Sequence, residues 1–233
     1  MIDIHMHIIP SVDDGSANLG MSIELLNKAY KQGIKTIIAT PHDYAFYSNR
    51  NKVQAHYLTL TKMFPKMKIR LGCEIYCDWS LMEIIIDNLK SNVIPTMNNT
   101  KYVLIEFDTR ETDIENVIYC VEKLLKNDYI PIIAHIERYK FFSVQNMQTL
   151  KRKGCRLQSN VYSLKNETNA DTKRNARIAL KEKLVDFLGS DAHRTGHRPP
   201  NVEDGIKYVN KNCDKEYAYN ILQGNAKKYL GVI

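Results

Sequence analysis

The sequence predicts an α/β domain built as a seven-stranded β/α barrel. Three observations predict it. Short apolar runs alternate with helical patterns along the 233 residues, which implies parallel strands joined by right-handed crossovers. The runs are nearly continuous rather than alternating, as expected of strands covered by helices. Six of the seven runs finish on His, Glu or Asp, and barrel active sites gather at the C-terminal ends of strands. A doubly wound open sheet is the alternative. It is disfavoured because no Gly-x-Gly-x-x-Gly loop follows the first strand.

Taken in order, Ile2, Ile4, Ile8 and Ile9 mark a short buried strand interrupted by His5 and His7. Residues i and i+2 of a strand share a face, so both imidazoles aim at one spot. Asp13, Asp14 and the turn-permitting Gly15 follow. On their own these are equally two satisfied core histidines and a turn, or the start of a metal site. Leu19, Ile23, Leu26 and Tyr30 then step as one helix face. The second strand runs from Lys35 to His42, and residues 51–64 form a weak helix closed by Pro65. The third strand, Lys68–Tyr76, carries Glu74, and a helix over 79–91 follows it. Lys101–Phe107 is the fourth strand, with Glu106 near its end; Asp113–Lys126 is a helix with an acidic start. Ile130–Ile136 is the fifth strand and contains His135; a helix at 144–153 leads to the sixth, Cys155–Asn160. A helix at 171–183 precedes the seventh, Leu184–His193, and helical segments near 203–211 and 215–223 finish the chain. Without a Gly/Ser/Pro-rich linker or a shift in composition, residues 1–233 read as one domain.

Composition narrows the class. A chain 44% hydrophobic and 25% charged is that of a globular protein. No window approaches the ~18 apolar residues of a membrane span, and the N-terminus lacks the basic and apolar regions of a signal peptide. Five cysteines without a Cys-x-x-Cys pair fit free thiols in a reducing cytoplasm. The net charge of +7 favours anionic partners, but Lys and Arg are spread along the chain, so no nucleic-acid partner is expected.

The strand ends carry the chemistry. Closing the sheet gathers His5, His7, His42, Glu74, Glu106, His135, Asp191 and His193, with Asp14 nearby. Burying so many carboxylates and imidazoles without a cation is costly. Nine ligand candidates are too many for one ion, so two or three divalent ions are expected, with a carboxylate bridging. Closely spaced ions suit phosphoryl transfer. The N/O ligand set admits Mn, Fe or Zn. A cysteine phosphatase would need Cys-x5-Arg; Trp79, Glu83, Lys126, Val161 and Tyr219 occupy the arginine position after the five cysteines, which excludes it.

The segments DIHMHIIPSVDDG, IIATPH, GCEIY, YVLIEF, PIIAHIER and GSDAH together resemble the polymerase-and-histidinol-phosphatase (PHP) superfamily. Within it, the chain is most similar to the bacterial tyrosine-protein phosphatases encoded with capsular and exopolysaccharide genes. The resemblance spans the chain and implies a distorted seven-stranded TIM-like barrel. It implies one metal held by His5, His7, Glu74 and Asp191, a second by Glu74 as bridge with Glu106 and His135, and a third by Asp14, His42 and His193. Manganese is the first expectation, with iron or zinc also admitted. Arg138 resembles the phosphate-binding arginine, and Arg198 matches a second basic position. The expected reaction is hydrolysis of protein phosphotyrosine by a metal-activated hydroxide, with Arg138 acting on phosphate alone and His197 a candidate proton donor. The expected partner is the Tyr-rich tail of a bacterial tyrosine kinase that controls polysaccharide export. Other readings are a phosphatase of histidinol phosphate or another small phosphomonoester, a phosphodiesterase or nuclease, and a metal-stabilised scaffold without turnover. One departure concerns substrate: relatives commonly carry His or Arg after Thr-Pro-His42, where this chain has Asp43 and Tyr44.

Overall fold

The structure is a computed structural model and describes residues 1–167 and 169–232. Strands and helices alternate: β1 (Ile2–Met6), α1 (Leu19–Lys31), β2 (Thr36–Ala39), α2 (Asp43–Met63), β3 (Lys68–Leu71), β4 (Glu74–Tyr76), α3 (Met82–Lys90), β5 (Tyr102–Glu106) and α4 (Ile114–Lys126). There follow β6 (Ile130–Ile133), α5 (Val144–Lys153), β7 (Arg156–Asn160), α6 (Ala170–Lys181), β8 (Phe187–Gly189), α7 (Glu203–Asn212), α8 (Lys215–Tyr219) and α9 (Asn225–Leu230). All strand pairs are parallel, in the orders β1-β2-β3 and β4-β5-β6-β7-β8.

The expected seven strands are therefore eight, in two sheets, among the described residues. The predicted third strand divides at residues 72–73. A Cβ at Gly72 would lie 2.7 Å from the Met97 sulfur, so the chain passes hard against the segment before β5 and breaks its ladder there. Hydrogen bonds nevertheless cross from sheet to sheet at both edges. Glu74 N–H donates to Pro41 O at 3.1 Å on one side. On the other, Asp191 N–H donates to His5 O at 2.8 Å and His7 N–H to Ala192 O at 2.9 Å.

Local sequence sets the helices. In α4, the Asp113 side chain accepts from Asn116 N–H and caps the first turn. Val117, Cys120, Val121 and Leu124 form its buried stripe, and Lys123 and Lys126 meet the negative end of its dipole. The weakly predicted helix at 51–64 is part of a longer one, α2, which begins at Asp43 and kinks at Asn49. The segment predicted at 215–223 is α8, a wide turn over Asn220–Gly224 and then α9. No helix among the described residues is long and apolar enough to cross a membrane.

Two apolar clusters follow from strand parity. Ile37, Val103, Ile105, Ile133 and Leu188 face the helices in the larger cluster. Ile2, Ile4, Ile38, Leu104, Ile132 and Phe187 face inward in the smaller one, where Leu230 of α9 and Val232 join them. Strict alternation would turn His5 and His7 away from Ile2 and Ile4. Between Asp3, opposite Ile37, and Met6, opposite Ala39, the register slips. Strand β1 holds one residue more than β2 across that interval, and this bulge returns His5 and His7 to the inner side.

Candidate metal centre

The ligand-type side chains converge, although fewer than expected sit on the strands. Glu106 ends β5, but Glu74 begins β4, and His7, His42, His135, Asp191 and His193 lie just beyond their strands. His135 and Asp191 have φ of 33° and 52°, and Arg198 has φ of 57°. Left-handed backbone is uncommon for residues other than glycine and concentrates at active sites.

Glu74 is central. Its Oε2 lies 3.1 Å from His5 Nε2, 3.0 Å from His7 Nε2 and 3.5 Å from His42 Nδ1. Its Oε1 lies 3.2 Å from His135 Nε2. Glu106 approaches His42 Nδ1 at 3.2 Å and His135 Nε2 at 3.3 Å. On the open side, Asp14 lies 3.3 Å from His42 Nε2 and 3.4 Å from His193 Nε2. Three groups have donor atoms close enough to hold an ion: His5, His7, Glu74 and Asp191; His42, Glu74 and Glu106; and His7, Asp14, His42 and His193. These groups contain eight of the nine expected ligands, and His135 lies against Glu74 and Glu106 beside them. The second group contains His42 where the resemblance implied His135, which faces the same two carboxylates.

Electrostatics favour a cation. Burial opposes ionisation of Glu74, yet His5, His135 and His7 hold its carboxyl well below the usual range. Burial likewise opposes ionisation of Asp191, and Arg138, His5 and Arg198 outweigh it. Burial disfavours charge on His42, but Asp14 and Glu106 push it up to about 12. In His7 and His135 the neighbouring carboxylates also overcome burial and raise the pKa to about 9. These anions draw protons onto histidines when no metal is bound. Asp191 Oδ1 is buried without a hydrogen-bond partner among the described residues and lies 3.5 Å from His5 Nε2. That orphaned oxygen, among nitrogen and oxygen donors only, fits a divalent ion.

Both arginines reach the cluster. Arg138 Nη1 lies 2.9 Å from Asp191 Oδ2, Arg198 Nη2 pairs with the same oxygen, and Arg198 Nη1 is 3.2 Å from His193 Nε2. Arg138 therefore also touches a ligand candidate, a contact that the expectation of a role on phosphate alone did not include. His197 is not brought in: it is exposed, and no hydrogen bond joins its ring to the cluster among the described residues. Asp43 does not face solvent. It is buried, and its Oδ1 accepts from Tyr44 N–H at 3.0 Å. Tyr44 stacks on His42, with centroids 5.5 Å apart and planes 18° apart.

Sequence reading gave no role to Asp13 or Asp3, which stand behind the ligand candidates. Asp13 Oδ2 binds His7 Nδ1 at 2.8 Å and accepts from His42 N–H at 3.2 Å; such a carboxylate orients a ligating imidazole. A Cβ on Gly15 would meet His7 Cβ at 2.4 Å, so only glycine lets this turn close on β1. Asp3 Oδ1 accepts from Ser190 N–H at 2.9 Å and His5 N–H at 3.2 Å, tying the first ligand strand to the last. The signal for Asp13 was present beside Asp14; nothing in the sequence marks Asp3.

A parallel α/β fold whose strand ends gather N/O side chains able to hold divalent ions has the features of metal-dependent hydrolases. Comparison with known proteins is narrower: residues 1–231 match the family model described as "Capsular polysaccharide synthesis, CpsB/CapC", and the chain belongs to that family. Tyrosine-protein phosphatase CpsB of Streptococcus agalactiae is 32% identical over 246 residues, covering 99% of this chain and 98% of that protein. Tyrosine-protein phosphatase YwqE of Bacillus subtilis is 32% identical over 236 residues, covering 99% and 91%. Crystallography of YwqE from B. subtilis and CpsB from Streptococcus pneumoniae, described as unique metal-dependent tyrosine phosphatases, gives a structure that superposes with a TM-score of 0.86. That match has 29% identity and covers 99% of this chain and 94% of the other. Dihydropyrimidinase from Brevibacillus agri, at 12% identity and TM-score 0.58, shares the fold alone.

Proposed function

We propose that this chain is a metal-dependent protein-tyrosine phosphatase, a distorted barrel forming one domain over residues 1–233. Its centre holds two or three divalent ions, manganese foremost and iron or zinc as alternatives. Its substrate is phosphotyrosine on a protein, the tail of a bacterial tyrosine kinase in capsule or exopolysaccharide synthesis, and it works in the cytoplasm. The observation that carries the reading is Glu74, whose two oxygens face four imidazoles, beside a ligand carboxylate that two arginines share.

His5, His7, Glu74 and Asp191 would hold one ion; Glu74, Glu106 and His135, with His42 at hand, a second; Asp14, His42 and His193 a third. Bound ions supply Lewis acidity, activating water and neutralising phosphoryl oxygens. The chain's own residues bind and orient. Arg138 and Arg198 present planar forks that suit equatorial phosphoryl oxygens. Tyr44, 46% exposed over His42, offers an aromatic wall to a phenyl ring. A phenolate leaving group, with a conjugate-acid pKa of ~10, needs little proton donation, so the remoteness of His197 is no obstacle.

The test is a hydrolysis panel with Mn: phosphotyrosine peptide, phosphoserine peptide, histidinol phosphate and a nucleotide diester. Preferred turnover of the phosphotyrosine peptide is expected. Preference for histidinol phosphate or the diester would replace this reading, and no turnover of any would favour a scaffold.

A further inference from the structure

Strand β7 brings no ligand candidate to the cluster, yet its end is buried and polar. Gln158 and Asn160, two residues apart, sit on the inner side: Gln158 pairs in register with the inward-facing Phe187, and Asn160 with Gly189. Both are buried. Gln158 Oε1 lies 2.9 Å from His135 N and 3.2 Å from His5 Nδ1. Gln158 Nε2 lies 2.9 Å from Asn160 Oδ1, and Asn160 Nδ2 lies 2.9 Å from Asp191 Oδ2.

We infer that Gln158 and Asn160 form a positioning ladder that sets the coordinating atoms of His5 and Asp191 before any ion arrives. The inference rests on the metal-centre reading above. Hydrogen-bond roles fix its direction. A backbone N–H only donates, so the atom facing His135 N is the amide oxygen of Gln158. Its NH2 group must then donate to the Asn160 oxygen, and the Asn160 NH2 group to Asp191 Oδ2. The same Gln158 oxygen accepts from His5 Nδ1–H, so Nε2 is the ring atom turned toward Glu74 Oε2, 3.1 Å away, and the one that would meet an ion. Asp191 Oδ2 receives Asn160, Arg138 and Arg198, which leaves Oδ1 bare. His5 Nε2 and Asp191 Oδ1 face each other at 3.5 Å. Gly189 makes the room: a Cβ there would lie 2.7 Å from His5 Cβ and 3.1 Å from Gln158 Nε2.

The test is Mn binding by calorimetry on chelated wild type, Gln158→Leu, Gln158→Glu, Asn160→Ala and the Leu/Ala double variant, with circular dichroism reporting the fold. Gln158→Leu should stay folded and lose Mn affinity by ~10–100-fold, the scale of second-layer partners of metal ligands. Gln158→Glu keeps the acceptor for His5 and His135 and should lose less, a rescue that packing alone does not predict. The double variant should lose less than the product of the single losses, because both act through one chain of bonds. Wild-type affinity in Gln158→Leu, equal losses in the Leu and Glu variants, or independent losses in the double variant would overturn the ladder. Should Gln158→Leu not fold, Gln158→Glu against Asn160→Ala decides: a larger loss in Glu than in Ala overturns it. A wild type without Mn affinity would overturn the metal reading and the ladder with it.

Discussion

Glu74 presents one oxygen to His5, His7 and His42 and the other to His135. A carboxylate so shared is placed to serve more than one ion, whereas among the described residues the Asp14 carboxylate pairs with His42 and His193 at the open side. Glu74→Gln should therefore lower metal content, by elemental analysis, more than Asp14→Asn; equal content in the two variants would refute the bridging role. The histidines give a second prediction. Burial opposes their charge, but Asp13 and Glu74 hold His7, and Glu106 and Glu74 hold His135, at about 9 in the metal-free protein. Such a raised pKa stabilises the fold fully below the unfolded value of ~6.5 and no longer does so once pH passes the folded value. Thermal melts of chelated protein should therefore shift down between pH ~6.5 and 9; a midpoint that rises across this window would contradict the assignment.

At the scale of elements, the site depends on how β1, β8 and the turn after β6 are shaped. A Cβ at Gly189 would press on His5 Cβ at 2.7 Å. Gly189→Ala should cost ~1–3 kcal/mol of stability through overpacking and reduce metal content, read by denaturant titration and elemental analysis. Wild-type values of both would show that this contact is not needed. Arg138, on the 3-10 turn Ile136–Arg138, should show a mixed phenotype. Arg138→Ala is expected to lose kcat/KM by ~10²–10³-fold, the scale of one preorganised donor, and to bind metal more weakly, because Asp191 loses a counter-charge. Arg138→Lys should recover little, since an ammonium cannot form the fork. Unchanged kcat/KM would remove Arg138 from the mechanism. These elements also show what the sequence disclosed. His5, His7, Glu74, Glu106 and His135 were legible because a ligand type closing an apolar run is conspicuous. The β1 bulge was not, since alternation puts Ile4 and His5 on opposite faces and only pairing with β2 reveals the extra residue. The break at residues 72–73 was hidden for a like reason: Met97, which crowds Gly72, is remote in sequence. Gln158 and Asn160 did leave a trace, the same i, i+2 spacing as His5 and His7 on a strand that otherwise lacked a ligand.

At the scale of the whole molecule, hydrogen bonds across both sheet edges place the first strand beside the last, so that ligand candidates from residue 5 to residue 193 share one cluster. The small apolar core closed by Leu230 and Val232 fills the interior below it. Burial pushes Cys73 well above the ordinary range and Cys155 up to about 12, so neither is a ready nucleophile. The central claim is that metal held by this cluster drives phosphotyrosine hydrolysis. Its most direct test is turnover of a phosphotyrosine peptide by exhaustively chelated protein, before and during back-titration with Mn. The expected result is no turnover without metal and recovery in step with Mn bound. Full turnover by the metal-free protein would contradict the account.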